Sequence, residues 1–443
     1  MHAIGFTDHL PIEDPASLRD VTISKPSAQG HDLLVQVQAV AVNPVDVGVR
    51  KTGHEHRMRP KILGWDATGI VTAVGEAVTL FQPGDHVFYA GSFRRPGCDS
   101  AYHLVDERLV GHAPATLTTA ARAAMPLTSL TAYEALFEQL HIPFDPAKPN
   151  SEKWNQTILI INGAGGVGSI ATQLAKLAGL TVISSASRPE SIAWTQQHGA
   201  DLVVDHHHDL VSEVHALGIK DVDYILGLSD LDSHWNEICT LIKPGGHIAS
   251  ITENRRPIDL KKLTKKRGTF AWEWMYSKSY YHTADMISQH DILETIADLL
   301  DRGLLQSTLS QTLRPINALN LRQAHQLIEQ HHMIGKVVIE GWEWVDVVLR
   351  FAQYWSTLTR QIRCPFLSFS AYNWCCTPRD SFNLFSVYTG GNSKLLISPS
   401  WLNTIYETIS PFSFINKHES LNQYAFNPSL EPTPNLWHQT RSF

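Results

Sequence analysis

The sequence predicts an α/β protein: a β-rich first domain, a doubly wound parallel sheet with helices on both faces, and an irregular C-terminal extension. Three observations carry this. Residues 1 to about 120 hold short Val-rich runs separated by turn residues. From Thr157 the pattern changes to apolar runs alternating with helical segments. After Trp342 neither the strand period nor the helix period is sustained.

In the first part, 33–42 alternates and runs apolar. Residues 62–88 set Gly64, Gly69, Gly75 and the Pro83-Gly84-Asp85 turn between Val-rich runs. Short strands punctuated this way read as a small barrel or sandwich. Residues 120–140 read as helical, with Pro126 interrupting because it lacks an N–H.

Strands are predicted over 157–161, 180–184, 202–204, 222–226 and 247–251. Helices are predicted between them over 169–178, 191–198, 209–217 and 233–241. Parallel neighbours need crossovers, and these helices supply them. Residues 268–274 read as a sixth strand, 287–301 and 319–330 as helices, and 335–340 as a last strand returning to the first domain. The expected domains are 1–125, completed by about 311–342; 126–310; and the extension 343–443. That extension holds 19 of the 40 aromatics and three of the five cysteines, but only two lysines. It is too aromatic for ordinary disorder. It reads as a poorly ordered tail, such as a translated frame error would leave, with an added interaction module as the alternative.

The net charge of -7 argues against nucleic acid as a partner. No run of about 18 apolar residues and no basic segment leading into an apolar one occurs, so neither a membrane span nor export is expected. The five cysteines form no CxxC pair, which suits a reducing cytoplasm and offers no zinc framework.

The most informative stretch is TILIINGAGGVG, 157–168. A strand, a glycine turn and a helix are what a dinucleotide pyrophosphate needs. Gly163 would permit the tight turn, Gly165 would admit the phosphates and Gly168 would let helix pack on strand. Gly166 and Val167 would stand at the helix start, where N–H groups lack partners. An NAD site would carry an acidic residue about 20 residues further on. This chain has Ser184-Ser185-Ala186-Ser187-Arg188 there. The Ser187 hydroxyl and Arg188 guanidinium suit a 2′-phosphate, which a carboxylate would repel. NADP(H) is therefore the expected cofactor; the bland reading of Arg188 is a surface arginine before Pro189. Gly227-Leu228-Ser229 and Ser250-Ile251-Thr252 fall at the carboxyl edge of the sheet, where the cofactor's ribose would lie.

The chain resembles the medium-chain dehydrogenase/reductase superfamily, most nearly its quinone oxidoreductase branch, among proteins often labelled zinc-type alcohol dehydrogenase-like. The matching stretches are AVAVNPVDVGVR (39–50), ILGWDATGIVTAVG (62–75), PGDHVFYAG (83–91), PLTSLTAYEALF (126–137), INGAGGVGSIATQLAK (161–176), SASRPESIAW (185–194), TADMISQH (283–290) and IGKVVIEGW (334–342). The resemblance covers 1–342. It implies a GroES-like barrel and a Rossmann domain with the active site in the cleft between them, and a homodimer. It also implies Asn43 near the nicotinamide, Arg50 as a donor or anion-binding group, and Asp46 orienting its neighbours or capping a turn. Thr128 and Thr131 would stand at the mouth of the cofactor cleft, or cap a helix. Lys336 would approach the cofactor; taken alone it would be solvated surface.

The zinc-dependent branch has a Cys early in the barrel, a GHE-type His and a four-Cys lobe. This chain has Asn43-Pro44-Val45-Asp46 and Gly64-Trp65-Asp66 at the first two places, and Cys98 stands alone. A site assembled from His54, His56, Asp66, Cys98 and His103 is the remaining metal option; none is expected. His206, His207 and His208 read as a solvent loop, because three adjacent residues cannot all face one ion. The basic run 261–267 reads as a solvated face.

Without zinc there is no Lewis acid for an ordinary ketone. A quinone or an α,β-unsaturated carbonyl does not demand one, since conjugation spreads the charge that arrives with hydride. Trp65, Tyr89, Trp272 and Trp274, with Met275 and Tyr276, would supply a flat apolar pocket for such an acceptor, or plain core. The expected protein is an NADPH-dependent, zinc-independent reductase. The alternatives are a zinc alcohol dehydrogenase with displaced ligands, or an NADPH-binding sensor or structural protein without turnover.

Overall fold

The short runs of the first part pair antiparallel, as strands do when turns rather than crossovers join them. β1 (His2–Phe6) lies between β2 (Arg19–Thr22) and β4 (Lys61–Ile62). A larger sheet is built on β3 (Asp32–Ala41), which pairs with β5 (Ala67–Val74) and with β7 (Tyr102–Asp106). β5 continues to β6 (His86–Tyr89) and β8 (Val110–His112). On its other side β3 takes β16 (Lys336–Glu340), which pairs in turn with β15 (Leu309–Leu313). Val338 lies opposite Ala41, so the strand read at 335–340 does join this sheet. The computed structural model describes residues 1–149 and 155–342, together with the backbone of 385–388 and 394–397.

Helix α1 (Pro44–Lys51) follows β3 directly. The helical stretch at 120–140 divides into α2 (Thr119–Ala123), α3 (Pro126–Tyr133) and a π-helical turn, Glu134–Gln139. Pro126 opens α3 rather than breaking it, because the first helical position needs no N–H partner.

The second sheet runs β11-β10-β9-β12-β13-β14 with every pair parallel. Its strands are β9 (Thr157–Ile161), β10 (Thr181–Ser185), β11 (Leu202–Val204), β12 (Val222–Gly227), β13 (Ile242–Ser250) and β14 (Thr269–Trp272). The crossovers carry α4 (Gly166–Leu177), α5 (Pro189–Gln197), α6 (Leu210–Ala216), α7 (Leu231–Leu241) and α8 (Lys261–Thr264). After β14 come α9 (Ser277–Tyr281), α10 (Ser288–Asp301) and α11 (Ala318–Glu329). The apolar run of β9 is covered on both faces. Ile158 and Ile160 join a core with Ile170, Leu174 and Leu293, while Leu159 and Ile161 join another with Leu210, Leu231 and Trp235. The order of strand addition reverses between β9 and β12, the crevice where such sheets take ligands.

The two largest boundary differences from expectation both involve glycine. Helix α4 begins at Gly166, three residues before the predicted start, because periodicity is silent where glycines stand. β13 begins at Ile242: Ile242 pairs with Val222, and the Pro244-Gly245-Gly246 segment is absorbed by a register shift before His247 pairs with Tyr224. Contacts divide the chain into Met1–Trp344 and Val345–Phe443. The expected irregular extension lies outside the described residues, apart from an antiparallel pair, β17 (Phe385–Tyr388) and β18 (Lys394–Ile397). Among the described residues no helix is long and apolar enough to cross a membrane.

Candidate functional site

The glycine turn leaves β9 through Asn162, whose φ of 71° makes the sharp bend expected of Gly163. Gly163 is required for another reason: a Cβ there would collide with the Ser184 hydroxyl of β10. A Cβ on Gly168 would meet the Asn162 carbonyl and sit 2.6 Å from Gly163 Cα, so this glycine lets α4 close on the turn. The first helical bond is Ser169 N to Gly165 O, 2.9 Å. The N–H groups of Gly166, Val167 and Gly168 precede it and have no helical acceptor, which is the condition for an anion site. A Cβ on Gly165 would come no nearer than 3.3 Å to anything, so its backbone face is open.

The turn is held from behind. Ser185 Oγ accepts from Asn162 N (2.8 Å) and lies 3.2 Å from His206 Nδ1. His206 thus departs from its solvent-loop reading, while His207 and His208 are exposed. Burial, then His207, depresses the His206 pKa. Ser187 is half-buried; Arg188 directly precedes α5, with Nη2 2.8 Å from His332 O and Nη1 3.4 Å from Glu190. At the same sheet edge Leu228 N bonds Ile161 O and Ile251 N bonds Gly227 O, both at 3.3 Å. The predicted ribose residues are therefore contiguous with the glycine turn.

Across the turn stands a buried polar group. Lys336 is 3 % exposed; its Nζ is 2.8 Å from Asp66 Oδ2, 3.3 Å from Val42 O, and also donates to Asn43 Oδ1. Asn43 Nδ2 donates to the same Asp66 oxygen at 3.2 Å. The other Asp66 oxygen accepts from Leu127 N at 3.1 Å, capping the start of α3. A Cβ on Gly166 would lie 2.9 Å from Lys336 Cδ and 3.0 Å from Thr128 Cγ2. Lys336 and Thr128 thus touch the glycine turn, and Lys336 is not the solvated residue it would be if read alone. The Thr128 and Thr131 hydroxyls bond carbonyls of the preceding turn (Met125, 3.2 Å; Leu127, 2.8 Å) and do not cap the helix start.

Asp46 is fully enclosed. Its carboxylate accepts from Asn43 N (2.7 Å) and Gly64 N (3.1 Å), so it caps α1 and ties that helix to the Gly64 loop. Burial raises its pKa to about 7 despite those donors. Burial also raises Asp66, against the opposing pull of Lys336, and raises Cys98 and Asp99. Arg50 is not brought to this group. It is 0 % exposed, donates to Leu10 O (2.6 Å) and pairs with Glu329 of α11. It lies one turn further along the same face of α1 as Asp46, and its long side chain runs to Leu10 and α11.

The predicted aromatics divide. Trp65 stacks on Phe93 at 5.2 Å and meets Tyr276 edge-on at 6.3 Å. Trp274 meets Phe93 and Tyr276 at 5.9 and 5.8 Å. Tyr89 stacks on His103 inside the barrel, and Trp272 packs on Phe270 on the outermost strand of the second sheet. Trp65, Trp274 and Tyr276 form one wall; Tyr89 and Trp272 are outside it. Sequence reasoning also missed a buried pair behind the wall, Glu134 and Glu273, with Lys278 3.3 Å from Glu134. Burial, then Glu134, raises Glu273 to about 9. Two glutamates in aromatic-rich segments were the available signal.

The metal candidates are dispersed: His56 bonds Asp8, His103 Nε2 contacts Pro96 O, and Asp66 is held by Lys336. Among the described residues no three His, Cys, Asp or Glu side chains converge to hold an ion. The run 261–267 lies on the surface around buried Leu263, with Lys266 Nζ bonded to two carbonyls at 2.6 Å.

Two family models match, the alcohol dehydrogenase GroES-like domain over 29–125 and zinc-binding dehydrogenase over 166–289. A zinc-type alcohol dehydrogenase-like protein of Staphylococcus aureus (strain MSSA476) is 43% identical over 339 residues, 76% of this chain and 99% of its own. The chloroplastic quinone-oxidoreductase homolog of Spinacia oleracea is 28% identical, over 77% of this chain and 98% of its own. A solved Rhizobium etli CFN 42 structure, described as a zinc-dependent alcohol dehydrogenase protein, superposes with TM-score 0.72 at 46% identity, covering 77% of this chain and 98% of its own. Escherichia coli quinone oxidoreductase complexed with NADPH shares the fold at TM-score 0.64 and 22% identity, over 77% and 100%.

Proposed function

The chain belongs to the medium-chain dehydrogenase/reductase superfamily, in its quinone oxidoreductase-like branch, and on that premise we propose that it reduces a quinone or α,β-unsaturated carbonyl with NADPH and without zinc. It is an oxidoreductase of that superfamily's type. The carrying observation is the contact between the open start of α4 and the buried Lys336–Asp66–Asn43 group.

The residues present suit a dinucleotide. Gly165 to Gly168 would cradle the pyrophosphate; Gly227, Leu228 and Ile251 would border the ribose; Ser187 and Arg188 would take a 2′-phosphate. Thr128, Thr131 and Lys336 would border the cofactor where α3 and β16 approach it. When bound, the reduced nicotinamide supplies a hydride. NADP(H) rather than NAD(H) is supported by the absence of an acidic residue over 184–188 and by Arg188, which directly precedes α5. In related folds the NADPH complex of the E. coli protein accords with this.

The chain's own residues fix the geometry. Asp66 anchors Lys336 and Asn43 and caps α3, joining the first-domain sheet to that helix at one carboxylate. Asp46 fixes the α1 start that carries Asn43. Trp65 and Trp274 offer apolar faces that exclude water from a flat acceptor. Zinc independence is supported by the donor set: Asn43 replaces a thiolate, Trp65 replaces an imidazole, and the nearest carboxylate is committed to Lys336. We extend the proposal to a homodimer in a reducing cytoplasm. The position of β14 at the sheet edge among the described residues and the free thiols Cys98 and Cys239 are compatible with it.

NADPH oxidation against a panel of quinones and enones tests the reading. Turnover supports it; a protein that binds NADPH and oxidises it with none of them is the non-catalytic alternative. Arg188→Glu should lose preference for 2′,5′-ADP over 5′-ADP in calorimetry, and an unchanged preference would contradict the cofactor assignment.

A further inference from the structure

Tyr276 lies four residues after β14 and is 3 % exposed, yet among the described residues its hydroxyl has no hydrogen-bond partner. Buried polar atoms are nearly always paired, so an orphaned phenol calls for a reason. The ring is fixed by Trp65, by Phe93 at 5.5 Å and by Trp274. Burial, and then Asp46, Asp66 and Cys98, raise its pKa well above the ordinary phenol value. The group therefore stays protonated, and a protonated phenol can donate where a phenolate cannot. The same Asp66 holds Lys336, and Lys336 lies against Gly166. The Tyr276 ring meets Trp65, the residue next to Asp66, and so packs on the loop whose carboxylate holds Lys336.

We propose that Tyr276 donates the hydrogen bond that meets the acceptor's carbonyl oxygen as that oxygen gains negative charge. This deepens the hydride-transfer reading above and rests on it. A bound reduced nicotinamide would supply the hydride, its C4–H electron pair becoming the new C–H bond at the β-carbon of an enone. The alkene pair shifts into the enolate, and the carbonyl pair moves to oxygen. The Tyr276 O–H stays intact and stabilises the oxyanion; the proton completing the product comes from water. A neutral phenol in an apolar wall thereby does what a Lewis acid would do for a less activated carbonyl.

Tyr276→Phe in the full chain tests this, because it removes only the oxygen and leaves the ring packing. Turnover of an enone should fall about 10²–10³-fold, the usual loss for one oxyanion donor. NADPH affinity should be unchanged, and the melting temperature should hold or rise, since an unpartnered buried hydroxyl is removed. A second readout needs no turnover: 4-nitrophenolate, an oxyanion on a flat ring, should bind the NADP⁺-loaded wild type at least about tenfold more tightly than the variant. A variant that keeps both turnover and nitrophenolate affinity overturns the proposal. So does one whose activity falls only with its melting temperature while nitrophenolate binding persists. If the wild type reduces no quinone or enone, the hydride-transfer reading fails, and the nitrophenolate comparison alone then decides on Tyr276.

Discussion

Lys336 Nζ and Asp66 Oδ2 are 2.8 Å apart with their side chains 4 % and 0 % exposed, and they join strand β16 to the loop before β5. Removing one partner of such a pair leaves a buried charge or forces its neutralisation. Lys336→Met should therefore destabilise by about 3–5 kcal/mol at pH 7, measured by urea denaturation. The deficit should shrink in acid, where the stranded Asp66 takes up a proton. NADPH affinity should fall as well, because the lysine stem touches Gly166.

Asp46 gives stability a pH dependence of unusual sign. Its carboxyl is raised from 3.8 to about 7 by burial, so the folded chain keeps a proton that the unfolded chain releases. Its contribution is full below 3.8 and is lost as pH rises through about 7. Asp46→Asn should flatten the stability profile across that window, read as urea midpoints at pH 5 and pH 8. An unchanged slope would assign the dependence to other groups.

The glycines should separate folding from binding. Gly168→Ala places a methyl against the Asn162 carbonyl and Gly163 Cα, and neither backbone atom can swing aside. It should cost about 1–3 kcal/mol of stability. Gly165→Ala finds only the Asn162 amide at 3.3 Å and sits at φ -71°, so the fold should tolerate it. Its methyl would stand on the face that admits the pyrophosphate, and NADPH affinity should fall at least about tenfold. Thermal melts and calorimetry on both variants check the pair.

Arg50 should behave as a structural residue. Its guanidinium is spent on Glu329 and Leu10, and nearby His325 is held neutral by burial, with its pKa lowered to about 3. Arg50→Met should destabilise by about 3–5 kcal/mol while kcat of the remaining folded enzyme changes less than about twofold.

Much of the second sheet was legible because its rules are local. The run 158–161 is apolar at every position, as a strand covered on both faces must be. The glycines follow it directly, so turn and helix could be placed from spacing alone. The start of α4 was misplaced because Gly166 to Gly168 carry no periodic signal. The cleft was less legible because it is made by distance in sequence. Asp66 and Lys336 are 270 residues apart, and nothing in either motif states that they pair. Arg50 shares one face of a short helix with Asp46, and spacing alone does not say which neighbour each side chain reaches. His206 looked like one third of a polar loop until Ser185 was seen to hold it. Tyr276 was one aromatic among several; its missing hydrogen-bond partner exists only in three dimensions.

The most direct test of the central claim is steady-state NADPH oxidation with a quinone by protein stripped with chelator and assayed for metal. The account predicts turnover undiminished at well below stoichiometric zinc. Activity that disappears on stripping and returns with one equivalent of zinc would contradict it.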